Sequence, residues 1–276
     1  MDLEAPVTTE RTTGDRWFYH PTQHEYGHPD EFNLAFESVF FSSMNRRLHG
    51  WFFPAVGRAK GTIIHCHGNG GNITGHFKHI AWMPALGWNV LTFDYQGFGR
   101  SEGRPTRAGT LADTNAAIDF ARMHANVNPN RLLLFGQSLG GAVAIVAASS
   151  EPGLCGVAIE GAFSSYQAAA HFVCKQTWLL WGLAPISRML VGPGYDPIDH
   201  VARIAPTPIL FITGTADRVC DHRQTIELHD AAREPKSLWV IQEGGHTTAL
   251  TDTNGEGQRR LDAFFTGCLP GDQRNR

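Results

Sequence analysis

Six short apolar runs alternate with stretches of helical periodicity, and this alternation constrains the chain more than any other feature. The runs are Ile63–Cys66, Val90–Phe93, Leu132–Phe135, Val157–Ile159, Ile209–Ile212 and Leu238–Ile241. Each is short and rich in β-branched or large apolar residues, as expected of a strand covered on both faces. Between them, Ile73, Phe77, Ile80 and Pro84 fall at helical spacing, with Gly87 as a stop. Leu111, Thr114, Ile118 and Ala121 form a second amphipathic face, Leu139 to Ser149 a helix of small residues, and Thr225 to Ala232 another helix. Strands alternating with helices of this length predict an α/β fold with a parallel sheet and right-handed crossovers. Leu34–Phe41 and Leu48–Phe53 are joined only by a short polar link, which predicts an antiparallel hairpin at one sheet edge.

The organisation follows. Residues 1–33 are polar and read as a loosely held leader. Residues 34–270 form one domain, with an insertion at about 163–200, and 271–276 are a tail. The chain has 276 residues, 42 % of them hydrophobic and 18 % charged, which suits a large core and excludes a disordered chain. The net charge of −3 offers no basic excess for nucleic acid. Cys66, Cys155, Cys174, Cys220 and Cys268 are odd in number and lack a CxxC spacing, which predicts reduced thiols in a cytosol-like compartment. The first 17 residues show no apolar core of a secretory signal. The most apolar stretch, Thr177 to Ser187, is well short of the roughly 18 residues a membrane span needs. It reads as a buried or lid helix, which leaves room for peripheral membrane contact.

The strongest chemical motif is Gly136-Gln137-Ser138-Leu139-Gly140, a G-x-S-x-G with a strand pattern before it and a helix pattern after it. Ser138 is therefore the expected nucleophile, standing at a helix N-terminus that favours developing negative charge. A serine needs a base, and the base an orienting acid. His246 follows the last apolar strand and Asp217 the one before it, so both are expected at carboxyl ends of parallel strands. Asp221, well placed to cap the next helix, and Glu160, which also ends a strand, compete for the acid role. The backbone N–H groups of Leu139 and of Asn69, in the loop His67-Gly68-Asn69-Gly70-Gly71-Asn72, are the expected oxyanion donors, with Asn72 also able to cap a helix. His65, His67, His76 and His79 are close in sequence, but no further ligand follows at a known spacing, so no catalytic metal is expected. In the insertion, Phe163, Trp178, Leu179 and Trp181 are expected to line an acyl pocket.

HCHGNGGN, DYQGFGRSEG, GQSLGG, GTADRV and EGGH, in this order, resemble the α/β-hydrolase superfamily. The branch that looks most similar is that of single-domain serine hydrolases with an HGN-type oxyanion loop, depalmitoylase-like and monoacylglycerol-lipase-like proteins. The resemblance spans roughly residues 35–266. It implies an eight-stranded, mostly parallel sheet with helices on both faces and a small helical lid. It further implies a Ser138-Asp217-His246 triad, no cofactor, and Asp94 ending a strand ahead of turn-forming glycines. Such families often carry Arg where Gln96 stands, and members acting on membrane-bound acyl proteins often carry an N-terminal cysteine cluster that this leader lacks. The expected function is hydrolysis of carboxylic esters or thioesters of small apolar acyl substrates. An amidase or aminopeptidase is the alternative within the same chemistry, and a non-catalytic ligand-binding homologue the alternative outside it.

Overall fold

The computed structural model describes residues 18–176, 187, 189, 191–251 and 254–271. Eight strands form one sheet: β1 (Glu37–Ser43), β2 (Arg46–Phe53), β3 (Gly61–Cys66), β4 (Trp88–Phe93), β5 (Leu132–Gln137), β6 (Leu154–Glu160), β7 (Ile209–Gly214) and β8 (Lys236–Ile241). Their order across the sheet is β8-β7-β6-β5-β3-β4-β2-β1. The hairpin β1–β2 is antiparallel and joins β4 antiparallel, while every other pairing is parallel. This is the α/β-hydrolase fold expected from the motifs.

The apolar strands inside the sheet are explained by two cores, one on each face, whereas β8 lies at the sheet edge and is only half-buried, so Leu238–Ile241 is not the strand covered on both faces that its sequence predicts. Along β5, Leu132 and Leu134 enter one core while Leu133 and Phe135 enter the other. Ile64 and Ile63 of β3 divide the same way. The first core takes Ala117 and Ile118 of α1 (Arg107–Met123), the apolar side of α2 (Leu139–Ala148) and Leu228 of α4 (His222–Ala231). The second takes Leu261 and Phe265 of α5 (Glu256–Cys268). Between α2 and α4, the helix α3 (Tyr166–Gln176) opens the insertion after β6. No helix among the described residues is long and apolar enough to cross a membrane.

Two further expectations are corrected. The single helix read from Ile73 to Pro84 is instead one α-turn, Ile73–His76, followed by 3-10 turns at Phe77–His79 and Pro84–Leu86. Gly75 sits inside the first turn, and the Trp82 indole N–H donates to the His79 carbonyl at 2.8 Å, occupying an acceptor that a continuing helix would use. Residues 18–33 are not a loose leader. Tyr19 and Pro29 are buried, and His20–Pro21 pair in parallel with Gly70–Gly71. The segment lacks apolar periodicity because backbone pairing and isolated aromatic rings hold it in place.

Candidate active site

Ser138 joins β5 to α2 with φ 55° and ψ −118°, a strained conformation for a residue with a side chain. Close packing beneath the turn enforces it. A Cβ on Gly140 would collide with the carbonyl oxygen of Cys66, so the helix lies directly on the end of β3. A Cβ on Gly68 would lie 3.6 Å from Ser138 Cβ, which places the loop after β3 against the serine. The Leu139 N–H heads α2, where a helix provides no internal acceptor.

Asp217 and His246, which follow the ends of β7 and β8, come together. Asp217 Oδ2 lies 2.7 Å from His246 Nδ1, and the aspartate side chain is fully buried while that of the histidine is 20 % exposed. Asp217 Oδ1 accepts the N–H groups of Val219 and Cys220, each at 2.8 Å, so both carboxylate oxygens are fixed. A carboxylate bound at Nδ1 leaves Nε2 as the nitrogen able to accept a proton. Asp221 caps α4 by accepting the Arg223 N–H at 3.1 Å. Glu160 does not touch His246 through a hydrogen bond; its oxygens accept from Gln137 and from the Ala249 backbone.

Asn69 lies in the expected loop, and its side chain is tied to the chain's N-terminal segment. Its Oδ1 accepts the His20 N–H at 3.2 Å and its Nδ2 donates to the Phe18 carbonyl at 2.5 Å. Asn72 caps the following turn through the Thr74 N–H at 2.9 Å and donates to the carbonyls of Thr22 and His24. Residues 18–26 thus form a strap across the loop. No hydrophobic period marks this strap in the sequence. The one hint is the pair of asparagines in a glycine-rich loop.

Phe163 is buried, with its ring 5.7 Å from Phe18 and 5.0 Å from Tyr166. Trp178, Leu179 and Trp181 lie outside the described residues. The histidines near the loop are packed as neutral rings: His67 and His76 stack at 5.1 Å, burial lowers His65 to about 3 and His79 to about 4, and it holds His67 well below the usual range. No group of three metal-ligating side chains is assembled among the described residues. Gln96, in place of the common arginine, holds the buried Asp113 with its side chain at 2.7 Å and its N–H at 2.8 Å, and burial raises that carboxyl to about 6.

The chain resembles proteins from several organisms. The chain is similar to the uncharacterized protein YfhR of Escherichia coli (strain K12), with 38 % identity over 256 residues covering 90 % of this chain and 86 % of YfhR. It is similar to the alpha/beta hydrolase domain-containing protein WAV2 of Arabidopsis thaliana, with 30 % identity covering 77 % of this chain and 72 % of WAV2. The Pyrococcus furiosus esterase Pf2001 superposes with a TM-score of 0.78 at 19 % identity, covering 92 % of this chain and 99 % of the esterase, which is a likeness of fold. Residues 57–203 match the family model described as serine aminopeptidase, S33. The chain belongs to this serine aminopeptidase S33 family of α/β hydrolases.

Proposed function

We propose that the protein is a serine hydrolase that cleaves carboxylic esters or thioesters of apolar acyl groups through an acyl-enzyme on Ser138. The observation that carries this reading is the strained Ser138 turn on a sheet whose neighbouring strand ends bring Asp217 within 2.7 Å of His246. Ser138 Oγ attacks the acyl carbonyl and His246 Nε2 takes its proton. Asp217 fixes the tautomer and stabilises the imidazolium. The Leu139 and Asn69 N–H groups hold the oxyanion, and the protonated His246 gives its proton to the departing alkoxide or thiolate. Water, deprotonated by His246, then attacks the acyl-enzyme and frees Ser138.

Apolar acyl specificity is supported by the aromatic and aliphatic content of the insertion, where Trp178, Leu179, Trp181 and Phe163 form the acyl wall in this reading. The five cysteines are free, which supports a reducing, cytosol-like compartment. The depalmitoylase-like or monoacylglycerol-lipase-like branch is the resemblance that best fits the loop motif. The family description favours a second reading, amide-bond cleavage by an aminopeptidase.

A panel of p-nitrophenyl acyl esters, acyl thioesters and aminoacyl p-nitroanilides separates the two. The ester reading predicts kcat/KM rising about fourfold per buried methylene, since each contributes about 0.8 kcal/mol. Replacing Trp178 and Trp181 together with alanine should flatten that rise and leave acetate turnover within a few fold. Anilides cleaved faster than every ester would replace the reading with the aminopeptidase one.

A further inference from the structure

Glu160 is a buried carboxylate that the mechanism above does not use. It ends β6 and is 2 % exposed. Its Oε1 accepts the Ala249 N–H at 2.8 Å, three residues beyond His246, and its Oε2 accepts the Gln137 side-chain N–H at 2.7 Å. Gln137 immediately precedes Ser138, and the Glu160 carbonyl accepts the Ser138 N–H at 2.8 Å. One carboxylate therefore bonds to the serine turn and to the histidine loop at once.

The bonds behind it set their own direction. Burial keeps His65 neutral, so its ring has one N–H. With Thr92 Oγ1 donating to Nδ1 at 3.0 Å, His65 Nε2–H donates to Gln137 Oε1 at 3.1 Å, and Gln137 Nε2 donates on to Glu160. Both oxygens of Glu160 thus face N–H donors, which suits the ionised carboxylate. Among the described residues no lysine or arginine forms an ion pair with it. The charged or titratable groups facing it are His246, from the loop after β8, and Asp217, from the loop after β7; His65 on β3 is reached through Gln137. Burial raises its pKa, the bonds from Gln137 and Ala249 oppose that, and the charge of a protonated His246 opposes it too. A buried charge without a cationic partner costs stability, so its presence at this point calls for a compensating role.

We propose that Glu160 is a positioning residue for His246: it holds the loop that carries the imidazole, and its negative charge favours the imidazolium formed when His246 takes the Ser138 proton. This inference rests on the serine-hydrolase reading of the site. Asp217 bonds the ring directly, and Glu160 acts on it through the loop and through space.

The test is the pH dependence of ester hydrolysis by wild type, Glu160→Gln and Glu160→Asp, with thermal unfolding measured beside it. In Glu160→Gln, kcat should fall about tenfold, the size of one hydrogen bond to a charged acceptor, with KM within about twofold. The acid limb of kcat/KM should move to lower pH, because losing the negative charge makes the imidazolium easier to deprotonate. Glu160→Asp keeps the charge and shortens the reach, so its acid limb should stay in place while kcat falls. An acid limb in Glu160→Gln that overlays wild type overturns the proposal, and so does an Asp variant with undiminished kcat, which also decides the matter should the Gln variant not fold. If Ser138→Ala hydrolyses the ester as wild type does, the serine-hydrolase reading and this inference fall together. If Ser138 is required and the limb does not move, only the role of Glu160 falls.

Discussion

The two sides of the candidate site are built in different ways. On one side, Asp217 and His246 follow directly from the ends of β7 and β8, with the turn at Ser138 closed over β5. Their placement is a consequence of sheet topology: β7 is buried between the two cores, and β8 packs against them as a half-buried edge strand. On the other side, the loop 67–72 extends past the end of β3 and is held by a strap of residues 18–26 from outside the sheet. The same candidate site thus depends on core packing at one end and on a few backbone and asparagine hydrogen bonds at the other. The first kind of support is cooperative with the whole fold, whereas the second can be loosened locally.

The largest expected effect lies where the two sides meet. Ser138→Ala should abolish ester hydrolysis, and its thermal midpoint should stay near that of wild type, because removing one oxygen leaves the packing under the turn intact. Undiminished turnover in that variant would remove the whole mechanism. Next comes the sheet side alone: Asp217→Asn should lower kcat by up to about 10⁴ through the wrong tautomer. Glu160→Gln should cost far less, and the reverse ranking would move the acid to the end of β6.

The strap side should yield more gently. Losing an oxyanion donor outright costs about 100- to 1,000-fold. Asn69→Ala keeps the backbone N–H and removes only the bonds to His20 and Phe18, so we expect about a tenfold loss in kcat with KM held. A loss confined to KM would show that the strap shapes substrate binding and does not position the oxyanion donor.

A last expectation concerns stability in acid and not turnover. Burial lowers His65 from 6.5 to about 3, so below about pH 6.5 the unfolded chain binds a proton that the folded chain refuses. Stability is therefore fully present above about 6.5 and declines as the pH falls toward about 3. His79, lowered to about 4, acts in the same direction. Denaturant unfolding between pH 7 and about 4.5 should show this decline, with a shallower slope in His65→Gln, whose amide replaces both bonds of the ring without taking up a proton. An equal slope in both proteins would mean that other groups govern acid unfolding.

The contrast between the two sides also explains what can be read from the sequence. The positions of Ser138, Asp217 and His246 are legible because each follows a run of apolar residues that reads as a strand, fully buried before Ser138 and Asp217 and half-buried at the sheet edge before His246, and strand ends fix where the next residues lie. The hairpin β1–β2 is legible for a similar reason, as two apolar runs separated by a short polar link. The continuous helix expected from Ile73 does not form, and apolar spacing alone does not reveal that the Trp82 indole takes the His79 carbonyl. The strap escapes a reading of hydrophobic periods because its contacts are made by backbone groups and by asparagine amides. The network of Thr92, His65, Gln137 and Glu160 is hidden in another way. Its members sit in four separate strands, and only the lateral order β4-β3-β5-β6 brings them into one row.

Every step of the proposed mechanism depends on the strained turn presenting Ser138 as a nucleophile to an acyl carbonyl. Incubation with a fluorophosphonate, followed by intact mass and peptide mapping, tests this directly. One adduct per chain is expected, on Ser138, formed by wild type and absent from Ser138→Ala. A folded wild-type protein that takes up no label, or that carries the label on another residue, would contradict it.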